Sequence, residues 1–334
     1  MSGFFPIEPA PYLRAALLLV GTLALGFGIT RLRSVTVARI AAWFLAIAAV
    51  VAADRLSLGE PAGFRMLSLI GTLLYAMKAV VAVEAQADDG VRLTLVQWLA
   101  FSAAWAGMRP GPFRELGRRA LPDANRFLVR GLSRIGLGIA LALLCRPIYA
   151  AVEPAAGTTV ARAAALVAAL PGISLTLHFG ILVVLVGIWR RAGVDCRPLF
   201  REPLRARSLS EFWGRRWNLA FTEMTALAVY RPLEVRVGRR AAMIGGFLSS
   251  GLLHEVAISV PVGTGYGLPT LYFLIQGALV LAETALERAG RPIQPPVWRG
   301  RLWTLFWVGL PIPVVFHPRF LAEIVLPLVG LTGR

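Results

Sequence analysis

Long apolar runs separated by short polar segments follow one another along the whole chain. Most of these runs approach the roughly 20 apolar residues that a helix needs to cross the hydrocarbon core of a bilayer. The pattern predicts an all-α fold, a polytopic bundle of about eight or nine membrane-spanning helices in a single domain, residues 1–334. The predicted spans lie near 11–30, 40–53, 66–84, 134–152, 163–189, 241–260, 268–287, 302–317 and 320–332. The last two runs can also form one broken span.

Two further apolar segments, 93–108 and 209–230, are short or interrupted. Both are predicted to be re-entrant or interfacial helices, because strict alternation of spans would otherwise place arginine-rich loops on opposite sides of the membrane. With both segments treated in this way, every arginine-rich loop faces the cytoplasm, as the positive-inside rule requires. These loops are 31–39, 109–134, 190–216, 231–240 and 288–301. Partial helices at membrane depth need protein or a cavity around them, so the bundle is predicted to enclose an internal chamber.

The composition is that of a membrane protein. Of the 334 residues, 57% are hydrophobic and only 16% are charged, whereas soluble domains carry about 25% charged residues. The formal net charge is +17, and Lys78 is the only lysine among 35 basic residues. Because the arginines lie in short loops between apolar runs, their charge is interpreted as orienting the helices, and nucleic acid is not predicted as a partner. The scarcity of lysine is typical of a GC-rich bacterial genome and predicts a bacterial inner-membrane location.

The cysteines and the first apolar run bear on cofactors and on processing of the chain. Cys145 and Cys196 have no spacing typical of a disulfide framework or a metal site. No metal or bound prosthetic group is predicted. The first run lacks a basic flank before it and a cleavage site after it, so it is interpreted as a retained helix and not as a signal peptide.

The segment SLSEFWGRRWNLAF, residues 208–221, gathers aromatic, basic and amide side chains in an otherwise apolar chain. Ser208 and Glu211 have the spacing of a capping box, which predicts a helix that starts at Leu209. Pro232 is expected to limit this helix at its other end.

The side chains of this predicted helix allow two interpretations. Trp213 and Trp217 share one face, Asn218 lies on a small polar face, and Arg215 and Arg216 point elsewhere, where anions can reach them. In the first interpretation the helix is interfacial, with its tryptophans at the lipid headgroups and its arginines on lipid phosphates. In the second, Asn218 is functional, because an amide among apolar neighbours at membrane depth costs free energy unless it is paired.

A second polar cluster lies in the span AAMIGGFLSSGLLHEVAISV, where His254 and Glu255 interrupt an apolar sequence. Ionisable residues inside a membrane are costly and therefore indicate function. Burial disfavours the imidazolium, so a neutral ring at this depth can accept a proton from a hydroxyl as a general base. A zinc protease is excluded because HEVAI lacks the second His of H-E-x-x-H. The alternative is a structural His bonded across helices, which is the stronger interpretation for His178; that residue can still line the same chamber, as can Ser250 and Glu255.

The F-W-x-x-x-W-N helix and the later intramembrane His together resemble the membrane-bound O-acyltransferase family, in particular its wax-synthase-like branch. The segments that carry the resemblance are SLSEFWGRRWN, FLSSGLLHE and PVGTGYGLPTLYFLIQG, within residues 208–277, and more loosely WAGMRPGPF, residues 105–113. In that family an acyl-CoA enters from the cytoplasm and meets a lipophilic acceptor at the His in a tunnel.

The resemblance implies an enzyme that moves a fatty acyl group from acyl-CoA to the hydroxyl of a lipophilic alcohol, as in wax-ester synthesis. It implies His254 as the catalytic base, with Asn218 assisting. Trp213, Arg215, Arg216 and Trp217 are expected near the acyl-CoA entrance, with Ser250, Glu255 and His178 around the chamber. The expected partners are acyl-CoA, a lipophilic alcohol and membrane lipid.

Two alternatives remain at this point. The protein can transport or flip a lipid-like metabolite, which would suggest matching internal repeats, and the sequence shows none. It can also transfer the acyl group to a different hydroxyl acceptor, such as diacylglycerol, a sterol-like lipid or a polyketide.

Overall fold

The computed structural model describes residues 4–331, and within that range every regular element is helical. The longer helices are α1 (Ala10–Ile29), α2 (Val35–Leu56), α3 (Ala62–Asp89), α4 (Leu95–Ala103), α5 (Ala124–Arg191), α6 (Leu209–Glu211, continued by the π-helical turn Phe212–Arg216), α7 (Leu219–Val262), α8 (Leu268–Arg288), α9 (Val297–Val315) and α10 (Pro318–Leu328). Short 3₁₀ turns lie at Gly111–Glu115 and Pro203–Arg205. The predicted all-α membrane fold is confirmed.

Six of the described helices are long and apolar enough to cross a membrane. The number rises to seven if α9 and α10, which meet at a bend of 78°, count as one broken span. The sequence predicts nine spans because it separates the two apolar runs of α5 and the two runs of α9 and α10. The alternative of one broken span at the end of the chain agrees with that bend. Residue 332 of the predicted span 320–332 lies outside the described residues.

Helix α5 is a hairpin of two antiparallel arms. Its helical geometry breaks at Gly157, where φ is 80° and ψ is 167°. On either side of this residue the arms lie against each other, with Gly131 beside Val184 and Gly187 beside Leu128. The two arms therefore correspond to the predicted spans 134–152 and 163–189. Small residues at the contact let the two backbones approach closely.

Helix α7 turns back in the same way at Gly238, where φ is 78° and ψ is 167°. Across this turn Leu233 lies beside Gly245, and Thr225 lies beside Gly246. The arm before the turn starts directly after Asn218, and the arm after it carries His254. The hairpin therefore brings the two polar clusters of the sequence onto neighbouring helical arms.

The backbone conformation of Gly157 predicts that a substitution there lowers the stability of the protein. Its φ and ψ lie in a region that is essentially restricted to glycine, where strain costs about 1–3 kcal/mol. Gly157→Ala is therefore expected to lower the midpoint of thermal unfolding of the purified protein in detergent. Gly136→Ala is the matched control, because Gly136 lies in the same helix with open space around it and without a positive φ. The control should unfold at or above the wild-type temperature; an equal loss in both variants would contradict the hairpin turn.

Helix α4 occupies the predicted re-entrant segment 93–108. With nine residues it is about 14 Å long, too short to cross a bilayer. Its Trp98 indole donates to the carbonyl of Leu23 in α1 at 3.1 Å. The chain then turns through residues 104–110 and leaves towards the short 3₁₀ turn.

Lys78 of α3 holds this turn in place. Its side chain is completely buried, and its Nζ donates to the carbonyls of Phe101 at 3.0 Å and Gly107 at 2.5 Å. The same ammonium lies 3.9 Å from the centre of the Phe101 ring. A buried charge needs such partners, because an unpaired one is expensive at membrane depth.

The segment 209–230 departs from its prediction. It is not one re-entrant helix, because the chain breaks between α6 and α7 at Asn218. Pro232 does not end the helix either. It lies in the first turn of the α-helical stretch Arg231–His254, directly after a π-helical turn, and a missing N–H is tolerated at such a position.

Two apolar clusters make up the core. One joins α2, α3 and α4 to the start of α7, and Trp217 and Phe221 pack on its edge. The other joins the second arm of α7 to α8 and α10, and Trp213 and Phe247 pack on its edge. The candidate site therefore lies where the two clusters meet.

Candidate active site

Helix α6 starts where the sequence predicts. The Ser208 hydroxyl accepts a hydrogen bond from the Glu211 N–H at 3.0 Å, which caps the helix. The Glu211 carboxylate accepts from the backbone of Arg207 at 2.8 Å, one residue before the position that a full capping box would use. Partial burial raises the pKa of Glu211, but its bonds to Arg207 and Arg216 outweigh this and leave the pKa below its ordinary value.

The break between α6 and α7 is centred on Asn218. Trp217 is extended, with φ −107° and ψ 127°, and Asn218 is left-handed, with φ 43° and ψ 62°. Asparagine is one of the few residues with a side chain that adopts this conformation readily. Its own carbonyl accepts from the Phe221 N–H at 3.0 Å and so starts α7. The Asn218 side-chain amide makes no hydrogen bond to any of residues 4–331.

The two tryptophans of the motif fix this break against the rest of the protein. The Trp217 ring stacks on Phe212, with centroids 5.6 Å apart, and meets Phe200 edge-on at 4.9 Å. The Trp213 indole donates to Gln276 of α8 at 3.1 Å. Gln276 is completely buried, so this bond joins α6 firmly to α8.

The two arginines of the motif differ in their surroundings. Arg215 is exposed and makes no side-chain hydrogen bond within the described part of the chain. The guanidinium of Arg216 instead contacts the Glu211 carboxylate at 2.6 Å and donates to the carbonyls of Arg201 and Glu202 at 3.3 and 3.2 Å. Arg216 therefore ties α6 to the preceding loop, and of the two only Arg215 presents an uncommitted charge.

His254 is held in one orientation. Its Nδ1 lies 2.7 Å from the carbonyl oxygen of Ser250, one turn earlier in α7. A carbonyl only accepts, so Nδ1 carries the proton, and Nε2 of the neutral ring has its lone pair available. The ring packs between Phe273 at 4.3 Å and Phe221 at 5.1 Å. Nε2 has no hydrogen-bond partner among the described residues.

Phe221 links the two polar residues. It follows Asn218 by three residues, and its ring contacts the ring of His254. Phe221 lies in the first turn of α7, so this aromatic contact places the start of α7 beside the His254 ring.

The remaining predicted chamber residues lie at different places. Glu255 accepts the N–H groups of Gly267 and Thr270 at 3.0 and 2.9 Å, so this carboxylate oxygen caps α8. His178 lies on the other side of the motif, with its ring 5.9 Å from Trp217 and its Nδ1 3.1 Å from the Ser174 hydroxyl. Ser250 provides the carbonyl that orients His254.

An apolar cavity of about 310 Å³ opens between α6, the two arms of α7 and α8. Trp213, Thr222, Met243 and Phe247 are among its lining residues, whereas Asn218 and His254 are not. Trp213 packs at 5.5 Å on the Phe273 ring, the ring that also contacts His254. The cavity therefore ends one aromatic side chain away from the imidazole.

Three polar residues near the site had no role in the sequence analysis. Lys78 supports the turn at 104–110, and Glu223 of α7 faces that turn. His317 is 3% exposed, and its Nδ1 caps α10 by accepting the Phe320 N–H at 3.4 Å. A charged residue in the middle of an apolar run was the signal for Lys78 and Glu223, and a polar residue directly before a proline was the signal for His317.

The Cys196 thiol is buried in the loop between α5 and α6. Burial raises the pKa of the Cys196 thiol to about 12, so at neutral pH it is protonated and a poor nucleophile. Within residues 4–331, no group of three or more His, Cys, Asp or Glu side chains is arranged to hold a metal ion.

Comparison with known proteins supports the resemblance seen in the sequence. Residues 196–275 match the family described as "Membrane bound O-acyl transferase family". The chain is 34% identical over 148 residues to "Probable long-chain-alcohol O-fatty-acyltransferase 7" of Arabidopsis thaliana. This match covers 39% of this chain and 41% of the relative.

Two further relatives carry similar names. One is "Probable long-chain-alcohol O-fatty-acyltransferase 9" of Arabidopsis thaliana, 32% identical over 163 residues, or 45% of this chain and 47% of the relative. The other is the "Long-chain-alcohol O-fatty-acyltransferase" of Simmondsia chinensis, 42% identical over 72 residues, or 19% of this chain and 20% of the relative. The matches span less than half the length of these relatives. The resemblance to the wax-synthase-like branch is confirmed over the matched region.

Proposed function

From the resemblance of this chain to the wax-synthase-like membrane-bound O-acyltransferases, we propose that it transfers a fatty acyl group from acyl-CoA to the hydroxyl of a long-chain alcohol. The products are an ester and free CoA. The observation that carries the proposal is the geometry of His254, whose Nδ1–H is bound to a carbonyl so that Nε2 is left to accept a proton. The names of the relatives support the alcohol as acceptor and the fatty acyl group as the transferred group.

His254 acts as the general base in this reaction. Nε2 takes the proton of the alcohol O–H as the alcohol oxygen attacks the thioester carbonyl carbon. The tetrahedral intermediate collapses by breaking the C–S bond, and the CoA sulfur leaves with the electron pair. The imidazolium then returns the proton to that sulfur, and both His254 and the free thiol are restored to neutrality. The Ser250 carbonyl stabilises the imidazolium during the step because it accepts the Nδ1–H.

Asn218 assists by donating from its side-chain amide to the oxygen on which negative charge develops. The amide is suited to this role because none of the described residues already occupies its hydrogen-bonding groups. Its backbone is held in an uncommon conformation by the bonds on either side, so the amide is positioned before the substrate arrives. Preorganised donors of this kind are usually the largest electrostatic contribution to acyl transfer.

The alcohol chain lies in the apolar cavity beside Trp213 and Phe247. This cavity shares Tyr230 and Met243 with a second cavity of about 430 Å³ that extends along α8 towards the Gly238 turn. The lining of the second cavity also includes Arg239, Arg240 and Arg288, so its outer end is basic. The first cavity is apolar and suits an alkyl chain, and it lies next to the aromatic residues that surround His254.

The arginine-rich loops face the cytoplasm in this proposal, so acyl-CoA reaches the site from that side, with Arg215 at its entrance. The arrangement follows from the positive-inside rule. The assignment to a bacterial inner membrane rests on the scarcity of lysine alone, because the relatives named above are plant proteins.

The test is the release of free thiol from acyl-CoA. Purified full-length protein in detergent, given palmitoyl-CoA and a long-chain alcohol, should release CoA and form ester in equal amounts. In sealed vesicles, acyl-CoA added outside should be used only when the arginine-rich loops face outward. No thiol release across a broad range of alcohols would contradict the proposed function and favour transport. Release with diacylglycerol or a sterol but not with alcohols would change the acceptor.

A further inference from the structure

A small polar cavity lies beside the start of α7, on the side of the turn that Lys78 supports. It has a volume of about 40 Å³, and three segments of the chain meet around it: 105–112, 195–201 and 219–223. The first segment belongs to WAGMRPGPF, the part of the sequence whose role the proposed function leaves open. Three arginines line the cavity, Arg109, Arg197 and Arg201, with the carboxylates of Asp195 and Glu223.

The walls of this cavity are fixed by hydrogen bonds. Lys78 binds the Gly107 carbonyl, and the Trp189 indole binds the Ala104 carbonyl at 3.0 Å, so the turn before Arg109 is held at two points. The Leu219 N–H donates to the Leu199 carbonyl at 2.9 Å, and the Arg201 N–H donates to the Arg216 carbonyl at 2.7 Å. The arginines are therefore presented by a hydrogen-bonded frame that includes Leu219, directly after Asn218, and Arg216, two residues before it.

The charges around the cavity are not balanced. Arg197 contacts Asp195 at 3.4 Å, and Asp195 is also paired with Arg190. The Arg201 side chain has one hydrogen bond, from Nε to the Pro198 carbonyl at 3.1 Å. The Arg109 guanidinium has none within residues 4–331. Glu223 is the one other carboxylate in the lining, so two guanidinium groups face a single negative charge.

The lowered pKa of Arg201 agrees with this excess of positive charge. Partial burial and the neighbouring charge of Arg197 lower the pKa of Arg201, Glu223 opposes this shift, and Arg109 adds to it. A guanidinium among such neighbours gains from a further anion. Arginine is also the side chain whose planar fork binds phosphate oxygens in pairs.

We propose that this cavity binds a phosphate group of the acyl-CoA donor, with Arg109 and Arg201 as the two phosphate ligands. This inference rests on the proposed function. A cavity of about 40 Å³ has room for about three water-sized groups, so it can take the oxygens of a phosphate that face the two arginines and leaves the nucleoside outside. Leu219 lines the cavity and Phe221, two residues later, contacts His254. A donor whose phosphate is bound here has its pantetheine arm directed past Asn218 to the imidazole.

The first experiment separates donor binding from turnover. Arg109→Gln and Arg201→Gln, each in the full-length protein, should raise the KM for palmitoyl-CoA about 10- to 100-fold, the range for the loss of a hydrogen bond to a charged group. The KM for the alcohol and kcat should stay near wild type. Arg119→Gln is the matched control, because Arg119 is an exposed arginine of the same basic loop and does not line the cavity. Arg109→Lys and Arg201→Lys should have intermediate effects, since they keep the charge and lose the fork.

The second experiment removes the phosphate from the substrate. With S-palmitoyl-pantetheine, which carries no phosphate, both glutamine variants should have the same KM as wild type. An equal loss with both donors would overturn the inference, because it would show a structural role for the arginines. Unchanged KM values for palmitoyl-CoA in both variants would overturn it as well.

A direct measurement of CoA binding tests the phosphate site without relying on catalysis. Isothermal titration of CoA into the purified protein in detergent should show binding that Arg109→Gln weakens at least 10-fold and Arg119→Gln does not. If wild type shows this binding but no acyl transfer with any alcohol, the proposed function fails and the phosphate site stands. If wild type transfers acyl groups but CoA binding is the same in wild type and Arg109→Gln, the phosphate site fails and the proposed function stands.

Discussion

His254→Ala is expected to lower ester formation by about 10²–10⁴-fold, the usual contribution of a general base. The expectation follows from the fixed ring, whose Nδ1–H is bound to Ser250 and whose Nε2 has no partner among the described residues. The loss should appear in kcat, because the proton is transferred only as the alcohol attacks. The measurement is thiol release and ester yield at saturating palmitoyl-CoA and alcohol. His254→Gln should be equally inactive, since an amide fills the space of the ring but does not accept a proton at neutral pH.

The control for this prediction is a different buried histidine. His317→Asn keeps a side-chain acceptor at the start of α10, so it should fold and retain turnover near wild type. Each variant must also elute from a sizing column in detergent as wild type does and show the same helix content. A well-folded His254→Ala protein with wild-type turnover would remove the imidazole from the mechanism.

Substitution of Asn218 is expected to separate a chemical role from a conformational one. Asn218→Gly keeps the left-handed backbone and removes the amide, so its unfolding temperature should stay close to wild type while kcat falls by about 10²–10³-fold, the cost of losing one oxyanion donor. Asn218→Ala should lose the same activity and also unfold at a lower temperature. Relative to glycine, the β-carbon of alanine in this conformation costs about 1–2 kcal/mol, and asparagine tolerates the left-handed region better than alanine does.

Asn218→Asp is the closest match in size and tolerates the same backbone conformation. It replaces the amide N–H₂ by a carboxylate oxygen and should therefore be as inactive as Asn218→Gly. Wild-type turnover in Asn218→Gly would show that the asparagine serves only the turn between α6 and α7. Full turnover in Asn218→Asp would show that donation from the amide is not needed.

The fold class could be predicted from the sequence because hydrophobic length is a local property. Each apolar run is long enough to be recognised without knowledge of its neighbours, and the short segment 93–108 was recognised as too short for the same reason. The two reversals were also predicted, because the segments 153–162 and 231–240 separate apolar segments of the sequence. What the sequence did not show is that each reversal is made at a single glycine, Gly157 or Gly238, between arms that are otherwise helical.

In the candidate site, too, some features could be predicted from the sequence and others depend on contacts between distant segments. His254 and Asn218 could be proposed from the sequence because a polar side chain in an apolar run is conspicuous, whatever its partners. The break at Asn218 could not, because helical spacing assumes a continuous helix, and the interruption depends on bonds from the loop at 199–201. The neighbouring loop carbonyls also account for the position of the Arg216 side chain. The Arg216 guanidinium donates to the carbonyls of Arg201 and Glu202, and the motif around Arg216 does not predict these contacts.

The burial of Lys78 has a consequence for the synthesis of this protein. The two carbonyls that receive its ammonium belong to residues 23 and 29 positions later in the chain, so they have not yet been made when Lys78 first emerges. Until they arrive, placing α3 in lipid costs about 2.5–3.5 kcal/mol for the unpaired charge. In the first two helices every charged residue lies within five residues of a helix end, near the surface of the bilayer. Helix α3 should therefore stay at the surface of the bilayer until α4 has been synthesised, and the two helices should insert together during translation.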